Sequence, residues 1–140
     1  MKNVFLDTNI LLEIILNRKQ KLSCQRILQA GIEGDIVLFA SYLTFANMAY
    51  VLHKEKVPRQ EIYAILRDLE TILKVLPMDG RQLHTALIQE VTDFEDMLQY
   101  RCAKDGECES IVTINTSHFK SFSELPIYTP DQIIEILNKQ

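Results

Sequence analysis

The sequence predicts an α/β fold, a three-layer α/β/α sandwich around a central, mostly parallel sheet of about five strands. Three observations lead to this prediction. Short apolar runs alternate along the chain with longer segments of helical periodicity. The apolar runs lack polar residues at every second position, which is typical of strands covered on both faces. The four Gly and four Pro residues do not cluster, so a single domain of residues 1–140 is expected.

Five short segments have the composition of strands. The first covers residues 4–6, Val-Phe-Leu, and ends where a polar sequence begins. The five predicted strands lie at residues 4–6, 36–39, 74–76, 110–113 and 126–128.

Helical spacing of apolar residues predicts helices between these strands. A capping sequence at residues 7–9 opens the first helix, and Gly34 closes the second. Pro58 and Pro130 stand at the first turns of two others. The remaining helices are predicted over residues 41–54, 81–90 and 93–104.

The net charge of -4 argues against a protein that holds nucleic acid by bulk positive charge. It does not argue against a metal-dependent nuclease, because a bound cation reverses the local potential of an acidic pocket. Cys24, Cys102 and Cys108 lack C-x-x-C pairs, so neither a zinc site nor a disulfide framework is expected. One or two of them are expected to be buried apolar residues and the rest incidental. No apolar stretch resembles a signal peptide or reaches the ~20 residues that span a bilayer, so a cytoplasmic protein without a membrane partner is expected.

Polar side chains follow the ends of two predicted strands. Asp7 comes directly after the first strand, and Asn115 stands two residues after the strand at 110–113. Asp93 and Asp96 lie three residues apart at the start of a helix, so both project from one face. Each acid taken alone is equally well explained as a helix cap or as a favourable charge in a first turn.

Taken together, these side chains point to a metal site. The carboxyl ends of parallel strands meet at one edge of the sheet, where the ligand crevice lies. Carboxylates gathered in one crevice repel each other unless a cation joins them. Mg²⁺ and Mn²⁺ prefer oxygen ligands of this kind. We therefore expect the side-chain oxygens of Asp7, Asp96 and Asn115 to converge there.

Four segments resemble motifs of the PIN domain family, which includes the ribonuclease toxins of bacterial toxin–antitoxin pairs. Residues 4–12 are similar to the opening motif, and residues 93–103 to the third acidic motif. Residues 111–115 with Phe119 resemble the fourth motif, and residues 126–130 the closing strand and helix start. The resemblance covers essentially the whole chain in order. It implies a PIN-like fold and a Mg²⁺- or Mn²⁺-dependent endoribonuclease that acts on RNA.

The resemblance also implies roles for individual residues. Asp7 and Asp96 match the first and third metal-binding acids of the family, and Asp93 matches an extra acid that some relatives carry. Asn47 stands in place of the second acid and Asn115 in place of the fourth, so two of four expected carboxylates are amides. An amide oxygen still coordinates a metal, but it brings no charge.

Further polar residues resemble the positions that orient acids or substrate in the family. These are Thr8, Asn9 and Thr113. Ile114 stands where relatives often carry Arg, which removes one phosphate contact. Structural or solvated roles are expected for His53, His84 and His118, with more weight on His118 because it lies beside Asn115.

Two functions from different classes remain open at this point. One is the metal-dependent endoribonuclease, with an antitoxin protein as partner and a homodimer as the expected assembly. The dimer seam would involve Tyr50, Leu52 and the apolar face of the following helix, for which ordinary core packing is the alternative. The other is a catalytically weakened module that binds nucleic acid or a partner protein, which the amides Asn47 and Asn115 favour.

Two other classes that begin with a strand and an acid are disfavoured. A phospho-acceptor receiver domain requires an acidic pair before its acceptor and a Lys after a late strand, and neither is evident around Asp7 or Thr113. A haloacid-dehalogenase pattern requires Asp at position 9, which is Asn9 here.

Overall fold

The computed structural model describes residues 2–139. Within these residues, five strands form one parallel sheet in the order β3-β2-β1-β4-β5. The strands are β1 (Lys2–Leu6), β2 (Ile36–Ser41), β3 (Lys74–Leu76), β4 (Ser110–Val112) and β5 (Ile127–Tyr128). The sheet is parallel throughout, as the uninterrupted apolar runs predicted.

Helices connect the strands and lie on both faces of the sheet. Within the described residues they are α1 (Thr8–Ile15), α2 (Lys21–Glu33), α3 (Tyr42–Lys54), α4 (Arg59–Ile72), α5 (Gly80–Gln89), α6 (Phe94–Asp105), α7 (Ser117–Lys120) and α8 (Pro130–Asn138). Only the short α7 had no counterpart in the predicted elements.

Helices α5 and α6 are each displaced by one residue from their predicted ranges, and α3 begins one residue later than predicted but ends where predicted. Helix α3 begins at Tyr42 because Ser41 still belongs to β2 and caps the helix, with its hydroxyl accepting from Thr44 N. Helix α5 runs from Gly80, with Asp79 as its cap, and α6 begins at Phe94, after Asp93.

The sheet lies between two helical layers. Val4 and Leu6 of β1 face the layer formed by α1, α2, α3, α4 and α8, whereas Phe5 between them faces α5, α6 and α7. All three side chains are fully buried. This arrangement confirms the predicted three-layer α/β/α sandwich and explains why the strands show no polar alternation.

The proposed dimer seam at Tyr50 and Leu52 was wrong for Leu52. Leu52 is fully buried and belongs to the same core cluster as Ile62 and Leu69 of α4. Residues two apart on a helix point to opposite sides, so the turn of α3 that buries Leu52 exposes Tyr50. The apolar face of α4 is likewise part of the core of one chain.

The order of the strands places a crevice beside β1. The chain adds β2 and β3 on one side of β1 and β4 and β5 on the other, so the direction of winding reverses between β1 and β4. Leu6 pairs with Val112 in the register of these two strands. Asp7 and Thr113, the next residues in each chain segment, therefore lie together at the carboxyl edge, where open α/β sheets bind ligands.

Two expectations drawn from composition can be compared with the structure. Cys24, Cys102 and Cys108 are all free and buried, whereas only one or two of them were expected to be buried. Burial raises the pKa of each thiol to about 12, so these side chains are inert apolar groups. In residues 2–139, no helix combines the length and apolar character that crossing a membrane requires.

Candidate metal centre

Asp7 is held at the carboxyl edge of the sheet by two hydrogen bonds. It caps α1, with Oδ1 accepting from Thr8 N at 2.8 Å, and Oδ2 accepts from the Thr113 hydroxyl at 2.8 Å. Burial raises the pKa of Asp7 despite these bonds, which lower it. The charged carboxylate is therefore oriented but incompletely stabilised, and it favours a cation beside it.

The loop after β4 is fastened to the start of α1 through Thr113 and Asn9. Besides donating to Asp7, the Thr113 hydroxyl accepts from Asn115 N at 3.1 Å and from Asn9 Nδ2 at 3.4 Å. Asn9 Oδ1 in turn accepts from Ile114 N at 3.3 Å. A hydroxyl has one proton and two lone pairs, so these contacts use all its capacity. The carboxylate of Asp7 is thus fixed by both sides of the crevice.

The acids at the start of α6 face the short helix α7. Asp96 Oδ2 lies 3.2 Å from His118 Nδ1, and Asp93 Oδ2 lies 3.5 Å from the same atom. The carboxylate of Asp93 makes no capping hydrogen bond to α6, so the cap interpretation does not account for it. Each of the three side chains offers a possible ligand atom, and these atoms lie within 4.8 Å of one another.

The environment of Asp96 disfavours its negative charge when no cation is near. Its side chain is 12% exposed. Burial, followed by the charges of Asp7 and Asp93, raises the pKa of Asp96 to about 7, although His118 acts in the opposite direction. The charge of Asp7 therefore reaches Asp96 across the crevice. A divalent cation between them would remove the repulsion that raises this pKa.

Seven of the eight residues predicted for the site line one cavity of about 350 Å³. They are Asp7, Thr8, Asn9, Asn47, Asp93, Asp96 and Asn115. Thr113, the eighth residue, is fully buried and does not line the cavity. Its hydroxyl donates a hydrogen bond to the carboxylate of Asp7, which does. The other lining residues are Leu12, Tyr50, Val51, Glu95 and His118.

Two polar residues of the cavity, Glu95 and His118, were not predicted as site residues. Glu95 precedes Asp96, and the amide of Asn47 donates a hydrogen bond to its Oε1. His118 follows Asn115 by three residues, a spacing that brings both side chains to one face of a helical turn. That spacing was the indication in the sequence that His118 belongs to the site. The position of Glu95 at the cavity depends on how α3 packs against α6.

A buried hydrogen-bond network fixes α6 against the start of α3. The Ser41 hydroxyl donates to Gln99 Oε1 at 2.6 Å, and Gln99 Nε2 donates to the Thr44 hydroxyl at 3.2 Å. All three residues are fully buried. Asn47 lies one turn after Thr44, and Asp96 lies one turn before Gln99. The network therefore sets the two helices so that these side chains meet at the cavity.

The donors in the cavity fit a divalent cation. Four carboxylates line it, from Asp7, Asp93, Glu95 and Asp96, and none of the described lining residues is Lys or Arg. The hydroxyl of Thr8, which is 5% exposed, has no hydrogen-bond partner among the described residues. Carboxylate, amide and hydroxyl oxygens with one imidazole form a typical shell for a hard or borderline divalent metal.

Comparison with known proteins agrees with the fold and the motifs. The sequence model of the PIN domain matches residues 3–117. Ribonuclease VapC1 of Aquifex aeolicus (strain VF5) is 28% identical over 148 aligned residues, which cover 99% of this chain and 92% of that protein.

Solved structures with the same fold cover nearly all of the chain. VapBC2 from Rickettsia felis, solved with a DNA fragment from its promoter, superposes with a TM-score of 0.70 at 20% identity, covering 91% of this chain and 98% of that one. PAE2754 from Pyrobaculum aerophilum superposes with a TM-score of 0.68 at 16% identity, covering 99% and 97%. With its motifs, its sheet order and a matching family model over most of its length, this chain belongs to the PIN domain family.

Proposed function

We propose that this protein is an endoribonuclease that hydrolyses RNA phosphodiesters with Mg²⁺ or Mn²⁺. The observation that carries the proposal is the gathering of Asp7, Asp93 and Asp96 in one cavity at the carboxyl edge of a PIN-domain sheet. RNA as the substrate is supported by the similarity to a protein named ribonuclease VapC1 along 99% of this chain.

In this proposal the side chains of the cavity have distinct roles. Asp7 and Asp96 would hold the metal, and Asp93 and the amide oxygen of Asn115 would complete its shell. When bound, a divalent cation activates water and offsets negative charge that develops on the phosphodiester. Thr113 keeps Asp7 in the orientation observed here, at 2.8 Å from its hydroxyl.

In the same proposal, Thr8, Asn9 and Asn47 have supporting roles. Thr8 offers its unpartnered buried hydroxyl to the cavity, and Asn9 links the loop after β4 to α1. Asn47 lies at the mouth of the cavity, where its amide contacts Glu95. Since carboxylate and amide oxygens suit both Mg²⁺ and Mn²⁺, and an imidazole is tolerated better by Mn²⁺, both metals belong in the assay.

The same proposal extends to partners and location. The chain acts as the toxin of a toxin–antitoxin pair, with an antitoxin protein as partner, because its motifs resemble those toxins and its fold is that of the VapBC2 structure. It works in the cytoplasm, where RNA is available to it. A homodimer is still expected from the family resemblance, but through surfaces other than the buried Leu52.

A single domain of residues 1–140 is part of the proposal. The family model ends at residue 117. The segment that follows supports its inclusion, since β5 pairs with β4 and Ile133 of α8 is buried in the same core cluster as Leu6.

A cleavage assay with a matched pair of variants tests the proposed activity. Mixed structured RNAs are incubated with the protein and Mn²⁺ or Mg²⁺, with EDTA as the metal-free reference. We expect metal-dependent cleavage that falls at least roughly a hundredfold in Asp7→Asn, because the buried carboxylate is lost from the metal shell. Asp68→Asn on the exposed surface of α4 makes the same chemical change away from the cavity and should cleave like the wild type.

A second candidate function is favoured by the amides at positions 47 and 115, which leave two family positions without charge. It is a catalytically weakened module that binds nucleic acid or a partner protein. RNA binding in a filter or gel-shift assay without metal-dependent cleavage, in wild-type protein that binds Mn²⁺, would favour this second function over the nuclease.

A further inference from the structure

The cavity contains as many carboxylates as a four-acid metal site, although two family positions are amides. Asp7 and Asp96 occupy their expected places, and α6 contributes Asp93 and Glu95 in addition. Neither Glu95 nor its contact with α3 follows from the sequence pattern. The question is whether Glu95 belongs to the metal site or only lies near it.

Glu95 is held at the cavity by Asn47. The side-chain amide of Asn47 donates a short hydrogen bond to Glu95 Oε1, and both residues line the same cavity as Asp7. The two residues are 48 positions apart in sequence, so the contact depends on the packing of α3 against α6. Glu95 is otherwise exposed, and this hydrogen bond restricts where its carboxylate lies.

The contact also shows what Asn47 does with its amide. An amide has one donor group and one acceptor group, and here the donor group is directed to a carboxylate. A carboxylate at position 47 has no proton to donate, and it would repel Glu95 instead. A hydrogen-bond donor at position 47 therefore allows an acid from α6 to lie beside it in the cavity.

The negative charge of Glu95 acts on the other acids of the cavity. Its side chain lines the same cavity as the carboxylates of Asp7 and Asp96. These two residues lie on different sides of the crevice. A charge that both of them experience would also be experienced by a cation bound between them.

We propose that Glu95 supplies to the bound divalent cation the carboxylate that position 47 lacks, and that Asn47 is a positioning residue that holds Glu95. The inference rests on the proposed metal-dependent function of this cavity. In this proposal, the negative charge that the second acid of the family would bring from α3 comes from α6 instead. Helix α3 contributes the hydrogen-bond donor, the amide of Asn47.

Mn²⁺ binding to the full chain, measured by isothermal titration calorimetry, tests the role of Glu95 without reference to activity. We expect Glu95→Gln to weaken Mn²⁺ binding roughly three- to tenfold, the effect of removing one partly screened charge from the shell. Glu61→Gln is the matched control, because Glu61 is also an exposed acid in the first turn of a helix. It should bind Mn²⁺ within about twofold of the wild type.

A charge exchange between the two positions tests the role of Asn47. In the double variant Asn47→Asp/Glu95→Gln, the new amide at 95 can donate to the new carboxylate at 47, and the charge of the cavity is unchanged. We expect Mn²⁺ affinity within about twofold of the wild type. Asn47→Ala keeps Glu95 but removes its anchor, and it should weaken binding less than Glu95→Gln does.

The outcomes separate this inference from the function on which it rests. If the wild type binds Mn²⁺ and Asp7→Asn abolishes binding, but Glu95→Gln binds like Glu61→Gln, the inference is overturned and the metal site stands. If Glu95→Gln binds Mn²⁺ weakly and the double variant Asn47→Asp/Glu95→Gln does not restore the affinity, the anchoring role of Asn47 is overturned. If the wild type itself gives no binding heat and no Mn²⁺-induced rise in melting temperature, both the metal site and the inference are wrong.

Circular dichroism of each variant verifies folding, and Glu95→Ala repeats the test with a different side chain.

Discussion

Thr113 shows how a single hydroxyl can organise a charged crevice. It donates to Asp7 and accepts from Asn9 and from the backbone of Asn115. Because Thr113 is fully buried, water cannot replace any of these partners without rearrangement of the loop. Its contribution is to hold the carboxylate of Asp7 in one orientation.

Replacing Thr113 with Val should therefore destabilise the protein. The shape is retained, but Asp7 loses a donor and two N–H groups lose an acceptor, so we expect a loss of about 2 kcal/mol of unfolding free energy. Urea denaturation at pH 7 in EDTA measures this loss. Thr113→Ser keeps the hydroxyl and should lose less than about 1 kcal/mol. If Thr113→Val is destabilised no more than Thr113→Ser, the hydrogen bonds of the hydroxyl do not make the expected contribution to stability.

At the residue scale, the sequence indicated the acids but not their surroundings. Asp7, Asp93 and Asp96 could be selected because their positions after strands and in a first helical turn depend on local sequence alone. Glu95 could not, because neighbouring residues on a helix point in different directions and only the approach of α3 brings its side chain to the cavity. The contact of His118 with Asp96 was likewise not predicted, because it joins two separate elements, α7 and α6.

At the scale of elements, α6 carries most of the cavity and depends on a polar contact inside the core. Gln99 bridges Ser41 and Thr44, which belong to the end of β2 and the start of α3. Nothing in the local sequence indicates that the side chain of Gln99 is buried. Its role becomes apparent only when the partners are known, since fully satisfied buried networks specify how elements align.

Gln99→Leu tests this alignment. The substitution leaves the buried hydroxyls of Ser41 and Thr44 without a side-chain partner on α6, so we expect a loss of roughly 2–3 kcal/mol in unfolding free energy. Mn²⁺ binding should weaken in the folded variant, because α6 is no longer fixed relative to α3. Gln25→Leu, at an exposed position of α2, is the matched control for denaturation and calorimetry. Unchanged stability and Mn²⁺ affinity in Gln99→Leu would show that packing alone aligns the helices.

The order and type of the main elements were largely predictable, whereas their ends were not. Apolar runs without alternation predicted strands covered on both faces, and the two core clusters on either side of the sheet are consistent with that logic. Boundaries such as Ser41 were missed because a capping residue belongs to both neighbouring elements. Helix α7, with four residues, is too short for helical periodicity to appear in the sequence.

At the scale of the whole molecule, the fold concentrates charge that the overall composition does not reveal. The net charge is -4, yet four carboxylates line one cavity at the sheet edge. The sheet order brings β1 and β4 together and thereby joins acids that are about ninety residues apart in sequence, as Asp7 and Asp96 are. This concentration of charge should destabilise the metal-free protein and favour the proposed binding of a cation.

The stability of the metal-free protein should consequently fall as pH rises. The pKa of Asp96 is raised to about 7 and that of Asp7 is also raised, whereas both ordinary values lie near 3.8. Between about pH 4 and 7 the folded state therefore binds more protons than the unfolded state, so the free energy of unfolding decreases with rising pH. In EDTA we expect a melting temperature lower by roughly 3 °C or more at pH 8 than at pH 6. Mn²⁺ binds the deprotonated acids, so its stabilising effect should be larger at pH 8.

Asp96→Asn separates this effect from the titration of other groups. The amide cannot ionise, so the variant should melt at a higher temperature than the wild type at pH 8 in EDTA and show a flatter pH dependence. It should also respond less to millimolar Mn²⁺, because the proposed metal shell loses one charge. Differential scanning calorimetry at pH 6 and 8, with and without Mn²⁺, measures all of these quantities, and Asp68→Asn is the surface control. A wild-type melting temperature that does not respond to Mn²⁺ at either pH would contradict a competent metal site. If the melting temperature of Asp96→Asn depends on pH as that of the wild type does, Asp96 is not the acid whose ionisation lowers the stability of the metal-free protein.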